Sequence, residues 1–295
     1  MRFLTLLRIE LEKLYRRPAP YVGYAIAAVG ASLLIFAAKA FVDSVGADQR
    51  IEEAFGAGSD LLVAARIATG PFVAYAVITA PGLGTLGVYF GLPLVVAIVT
   101  AHQLVGERQS GSLRTLLTRP ISRTALVATK MIATAVYALS ATVLAGAFSL
   151  ALALALYGNG PVFLLDRDLM HGGLPHALAA DAALWRLVGA YAMLALGMMA
   201  VSAIGLFFSS FANNSATAVV LTMALILVGA ILDAIPSLDW LHPYLLSHQM
   251  MGYTALFDQP IHTRELLQSV FALVLYTGIP LVGAVIVMQR RDVTC

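Results

Sequence analysis

The side chains able to do chemistry are few in this sequence, and their spacing excludes more than it supports. No G-x-x-x-x-G-K-[ST] loop is present, so nothing in the chain cradles ATP phosphates. A G-x-G-x-x-G does occur at Gly82, Gly84 and Gly87, with Glu107 twenty residues beyond. Its context is wrong for a dinucleotide, because an apolar run rather than a strand–helix turn surrounds it. There is no H-E-x-x-H, no G-x-S-x-G and no pair of carboxylates within one apolar run, which leaves hydrolytic chemistry without residues. Five of the six histidines, His171, His176, His242, His248 and His262, fall in polar connections, and Met250 and Met251 follow His248. Imidazole and thioether together suit copper. The spacings match no recognised metal motif, however, and the sequence assigns no metal.

The elements that must carry these residues are apolar to a degree no soluble domain supports. Of 295 residues, 60% are hydrophobic and 12% charged, against about 25% charged in a soluble domain. The chain is read as an all-α polytopic membrane protein, one transmembrane domain over 1–295. A spanning helix needs about 20 mostly apolar residues, and six stretches qualify: 20–42, 82–105, 131–157, 184–209, 216–235 and 266–288. The apolar reach 72–105 would extend about 51 Å as one helix, too long for a hydrocarbon core of about 30 Å. A break is expected at Pro81-Gly82, leaving 72–80 as an interfacial or re-entrant piece, and Pro93 is expected to kink the second span rather than end it. The glycines from Gly82 to Gly91 read as a face for close helix approach. Lys39, His102, Lys130, Arg186 and Asp233 lie toward span ends, where side chains snorkel to the headgroups. The lone cysteine, Cys295, excludes an intrachain disulfide.

Basic residues are retained on the cytoplasmic side. With both termini inside, the inner segments hold Arg2, Arg8, Lys13, Arg16, Arg17, Arg108, Arg114, Arg119, Arg123, Lys130, Arg290 and Arg291, which is 12 of the 18 basic residues. Only Glu10, Glu12, Glu107 and Asp292 among the acids join them. Residues 1–19 read as an interfacial helix: Phe3, Leu4, Leu7, Leu11 and Leu14 recur at three and four, and Arg8, Glu12 and Arg16 form a ladder on another face. Pro18 and Pro20 turn the chain into the first span. Of the outer connections, 44–71 should hold some helix and 157–183, rich in Gly, Pro and Asp, should be irregular. The segment 233–265 should form short interfacial helices around Trp240, Tyr244 and Tyr253. The inner connection 211–215 is a turn.

The other inner connection, GERQSGSLRTLLTRPISRTALVATK over 106–130, carries the most information. Leu113, Leu116 and Leu117 make an apolar stripe with Arg114 turned away. Gly111 breaks the chain before it, and Arg119-Pro120 stops it because the residue before proline leaves the helical region. Ser122 is placed to cap the next helix. The segment is a short Arg-rich amphipathic helix held between two spans, suited either to a cytoplasmic partner or to the inner leaflet.

On these residues the chain resembles the type-2 ATP-binding-cassette (ABC) exporter permeases, in particular their bacterial single-polypeptide six-helix members. The resemblance rests on Gly106-Glu107, Gly111-Ser112-Leu113-Arg114, Arg119-Pro120, Ser122-Arg123 and Thr129-Lys130, where Thr129 departs from the commoner glycine. The N-terminal helix resembles the family's elbow helix, and Arg290-Arg291-Asp292 its usual ending. The specific part covers about 25 residues; topology alone extends it over the chain.

The resemblance implies a transport subunit rather than an enzyme, set in the bacterial cytoplasmic membrane with lipid around it. It would pair with a second permease copy or homologue and with separate ATPase subunits that hold the ATP and Mg; no cofactor on this chain and no nucleic acid is implied. Glu107, Gly111, Ser112, Leu113, Arg114, Leu116, Leu117, Arg119, Pro120 and Arg123, within 106–123, would couple to the ATPase. Closure of the motors would draw the coupling helices together and switch access between faces. Gly84, Gly87 and Gly91 on the second span, with Ser209, Thr217 and Thr222 around the inner end of the fifth, are candidate path-lining residues; tight packing within one subunit is the alternative. A different class, a mechanical transmitter or a metal- or copper-enzyme maturation subunit acting on an outer partner, is compatible with the same segments.

Overall fold

The computed structural model describes residues 3–47, 74, 87–110, 122–160, 162–164, 176–258 and 260–290. The expectations for 48–73 and 75–86, including the break at Pro81-Gly82, lie outside them. Helix α1 (Phe3–Tyr15) is followed after a short turn by α2 (Ala19–Ala47). A π-helical turn (Gly87–Gly91) runs into α3 (Leu92–Gln109), then come α4 (Arg123–Tyr157), α5 (Ala180–Phe211) and α6 (Ser215–Asp233). Short 3-10 turns and α7 (Leu246–Met250) lead to α8 (Thr263–Arg290). Six of these helical stretches, those containing α2, α3, α4, α5, α6 and α8, are long and apolar enough to cross a membrane. The protein is an all-α polytopic membrane protein.

Local signals act where the sequence places them. Ser122 caps α4, its hydroxyl accepting from the Ala125 amide at 3.2 Å, and Asn214 caps α6, accepting from the Thr217 amide at 2.7 Å. Pro93 falls in the first turn of α3, directly after the π turn, and the helix continues past it to Gln109 rather than ending there. One expectation fails: the connection after α4 is not wholly irregular, because β1 (Val162–Leu164) and β2 (His176–Leu178) pair antiparallel, Phe163 opposite Ala177.

Helix α5 is the hub, packing against α3, α4, α6 and α8. In lipid there is little hydrophobic drive between helices, so close approach through small residues selects the central one. The sequence of α5 supplies them. Ala190, Gly197, Ala200, Ser202, Ala203 and Gly205 are all buried. A Cβ at Gly205 would collide with the Thr100 hydroxyl of α3. The outward faces of the other spans stay apolar and exposed, as at Leu33, Val220, Ile231, Phe271 and Ile279, which is the surface that lipid requires.

Candidate functional site

Where α1, α3 and α4 meet, four charged side chains close a ring. Lys130 lies on the second turn of α4 with its side chain fully buried. Its Nζ is 2.9 Å from Glu10 Oε2 of α1 and 2.7 Å from Glu107 Oε2 in the last turn of α3. Lys13, one turn after Glu10, spans the other two carboxylate oxygens, 3.4 Å from Glu10 Oε1 and 3.3 Å from Glu107 Oε1. Charges alternate around the ring. Glu10 and Glu107 are 1% and 5% exposed, while Lys13, at 37%, closes the solvent side. The expectation that Lys130 snorkels to headgroups is therefore corrected: it points inward and is neutralised by two carboxylates. Glu107 sits at the negative end of the α3 dipole, an unfavourable place for a carboxylate. The two ammonium groups offset that cost.

The ring also explains which side of α1 faces the protein. Leu6, Glu10 and Leu14, four residues apart, are buried, whereas Phe3 and Leu4 of the expected stripe are exposed. The first rung of the charged ladder forms, with Arg8 Nε 2.9 Å from Glu12 on the outside. At the end of α1, the Tyr15 hydroxyl lies 3.2 Å from that of Tyr24, which is 2.6 Å from Ser140 Oγ, tying α1 to α2 and α4. A small cleft of about 60 Å³ remains between α1 and α3, bordered by Lys13, Arg17, His102 and Glu107.

Two arginines fasten the same region to the remaining helices. Arg108 donates to the carbonyls of Ser210 (2.8 Å) and Ala212 (3.0 Å), at the end of α5. Arg123 donates to Met288 (2.7 Å) and Gln289 (3.2 Å), at the end of α8. Both place a cation on terminal helix carbonyls that have no intrahelical partner. Ser209 adds a third stitch: its hydroxyl donates to the Ala101 carbonyl at 2.8 Å and accepts from the Leu104 and Val105 amides. The two chain ends from which 111–121 departs are thus gripped by α1, α4, α5 and α8.

Of the coupling residues, Glu107 and Arg123 are therefore anchor points. Gly111, Ser112, Leu113, Arg114, Leu116, Leu117, Arg119 and Pro120 lie outside the described residues, as does Gly84. The remaining path candidates occupy separate surroundings. Gly87 and Gly91 line an apolar cleft of about 140 Å³ with Ile26, Gly30, Leu34 and Leu194. Ser209 belongs to the fourth span rather than the fifth and is buried against α3. Thr222 is buried with its hydroxyl on the Ala218 carbonyl, and Thr217 is exposed beside Asn214.

Sequence reasoning missed the ring, although two signals pointed to it. After Arg123, Lys130 is the only charge in 35 residues of α4, and Glu10 interrupts a leucine row. At the opposite end of the bundle, Asp233, His242 and His248 converge with potential ligand atoms within 4.8 Å of one another, and His262 pairs separately with Asp258 at 3.1 Å. A search of curated proteins finds no match. The family model for proteins of unknown function DUF2705 matches residues 61–294, most of the chain, and the protein belongs to that family.

Proposed function

We propose that this chain is the membrane-spanning permease subunit of an ATP-driven ABC-type exporter, working as a dimer with a second permease copy or homologue and with separate ATPase subunits. In this reading both termini and the 106–123 segment face the cytoplasm of a bacterial inner membrane. The motor, with its ATP and Mg, docks on 110–118 through Leu113, Leu116 and Leu117. The observation that carries the reading is the anchoring of both roots of that segment. A helix that transmits force needs a base that does not yield, and Glu107, Arg108 and Arg123 tie this base, formed by α3 and α4, to α1, α5 and α8. Displacing it would move α1, α3 and α4 together, because the charge ring makes their separation costly.

The test is isolation of the tagged chain from its native membrane and assay for an accompanying Walker-motif ATPase. Wild type should bring it down and show hydrolysis; Leu113→Asp with Leu117→Asp should lose both. Hydrolysis by the chain alone, or unchanged co-purification with the double variant, would overturn the reading. A mechanical transmitter would use the same base, and the structured 236–256 segment favours keeping it as the second reading. Substrate movement in vesicles carrying the reconstituted complex separates the two.

A further inference from the structure

We infer that Asp233, His242 and His248 form a binding site for a divalent late transition metal, Zn²⁺ in type, at the end of the bundle opposite the charge ring. The site is assembled from three elements: the last residue of α6, the 3-10 turn His242–Tyr244, and α7. His248 Nδ1 lies 2.9 Å from Asp233 Oδ1, and His242 Nδ1 lies 4.0 Å from the same oxygen. The two imidazoles stack with centroids 5.8 Å apart. Ligands about 2.0–2.1 Å from a tetrahedral zinc sit roughly 3.3 Å from one another. These separations bracket that value, so modest side-chain shifts close the site.

His242 is the informative member. Its side chain is 17% exposed, its Nε2 is buried without a hydrogen-bond partner, and its Nδ1 approaches Asp233 and Asp239 only at 4.0 and 3.6 Å. Buried polar nitrogens are normally satisfied. His242 is held with its Nδ1 toward a carboxylate and its ring stacked on a second imidazole, and neither of its nitrogens makes a hydrogen bond among the described residues. Asp233, for its part, ends α6 at the negative pole of the helix dipole. A cation bound beside Asp233 would engage His242 Nδ1, the carboxylate and the dipole at once.

The donor set selects the ion. Two imidazole nitrogens and one carboxylate oxygen suit Zn²⁺ and its neighbours, not Ca²⁺ or Mg²⁺. Copper(I) would call on the adjacent thioethers, which are committed elsewhere: Met250 is 1% exposed within the core, and Met251 Sδ accepts the Tyr253 hydroxyl at 3.0 Å. Asp233 and His248 border a polar cleft of about 480 Å³ with Gln249, Glu265 and Gln268, so a three-ligand ion would keep a side open to water or an added ligand. The ion would also clip 236–250 to the end of α6. None of this depends on the transport reading.

The experiment uses the full chain, purified, stripped with chelator and titrated with ZnCl₂ against a chromophoric competitor, with CoCl₂ as a spectroscopic probe. One Zn²⁺ per chain is expected, with Co²⁺ showing the intense visible absorption of a four-coordinate site. His242→Ala, which gives up no hydrogen bond, should fold as wild type and weaken Zn²⁺ binding at least about ten-fold. Asp233→Asn should do likewise, and His262→Ala should change nothing. Zn²⁺ should raise the melting temperature of wild type and not of His242→Ala. Absence of stoichiometric binding to wild type, or wild-type affinity in a folded His242→Ala/His248→Ala chain, would overturn the site.

Discussion

The two ends of the helical bundle treat ionisable side chains in opposite ways. At the α1–α3–α4 junction, two glutamates and two lysines neutralise one another, and three of the four side chains are 5% exposed or less. At the far end of α6, Asp233 and two histidines are partly open, and one imidazole has no hydrogen bond among the described residues. A closed, balanced ring has no valence left for a ligand and can only hold helices together. An unbalanced cluster beside a cleft has donors to spare. The comparison therefore assigns rigidity to one end and binding to the other, from the same kinds of residue.

The largest expected effect comes from opening the ring. Lys130→Met leaves two buried carboxylates facing each other with only Lys13 between them, and should destabilise the folded chain by about 3–5 kcal/mol, read as a fall in melting temperature or loss of folded yield in detergent. Glu10→Gln and Glu107→Gln added to Lys130→Met should recover much of that loss, because the uncompensated charge is gone. If Lys130→Met melts with wild type, the ring is not a structural element and the contrast between the ends collapses.

Next in size are the arginine anchors. Arg108→Ala and Arg123→Ala each remove charged hydrogen bonds to helix-end carbonyls, worth about 1.5–3 kcal/mol. The loss should appear as faster hydrogen exchange at the ends of α5 and α8 respectively. Equal exchange in both variants and wild type would show that these ends are held by something else.

The far end should respond less when no metal is present. His248→Ala removes one hydrogen bond to Asp233 at a half-exposed site, so metal-free stability should drop by only about 0.5–1.5 kcal/mol. A loss matching that of Lys130→Met would mean that this cluster, too, is structural glue. The smallest effect belongs to the Arg8–Glu12 pair, whose side chains are 81% and 47% exposed. Arg8→Ala should shift stability by about 0.5 kcal/mol or less, a control showing that burial, not ion pairing as such, sets the scale in the ring.

Much of this was readable without coordinates, for reasons that stay local. Apolar run length located all six spans, because every backbone group in lipid must be satisfied within its own helix, although the third spanning helix starts at Arg123, well before the apolar run at 131. Ser122 announced the start of α4, because a cap depends only on the three residues that follow it. The turn at 211–215 and the short helices after Asp233 were visible from the same kind of signal.

What local pattern could not supply was pairing across the chain. Lys13 meets Glu107 from 94 residues away and Lys130 meets Glu10 from 120. Nothing in the spacing of either partner names the other. Which side of α1 packs on the protein was not legible for a related reason: leucines lie on several sides of that helix, and it is the pairing with Lys130 that turns Glu10 inward. His242 and His248 looked like a scattered set because a 3-10 turn and a five-residue helix intervene, and it is that path that swings both rings toward the end of α6. The sequence by itself determined which segments are helical and that they belong in a membrane, since those follow from each segment's own solvation. Only the tertiary structure decided which charges are buried together, because a buried charge is tolerable only beside a partner, and partners are chosen by packing.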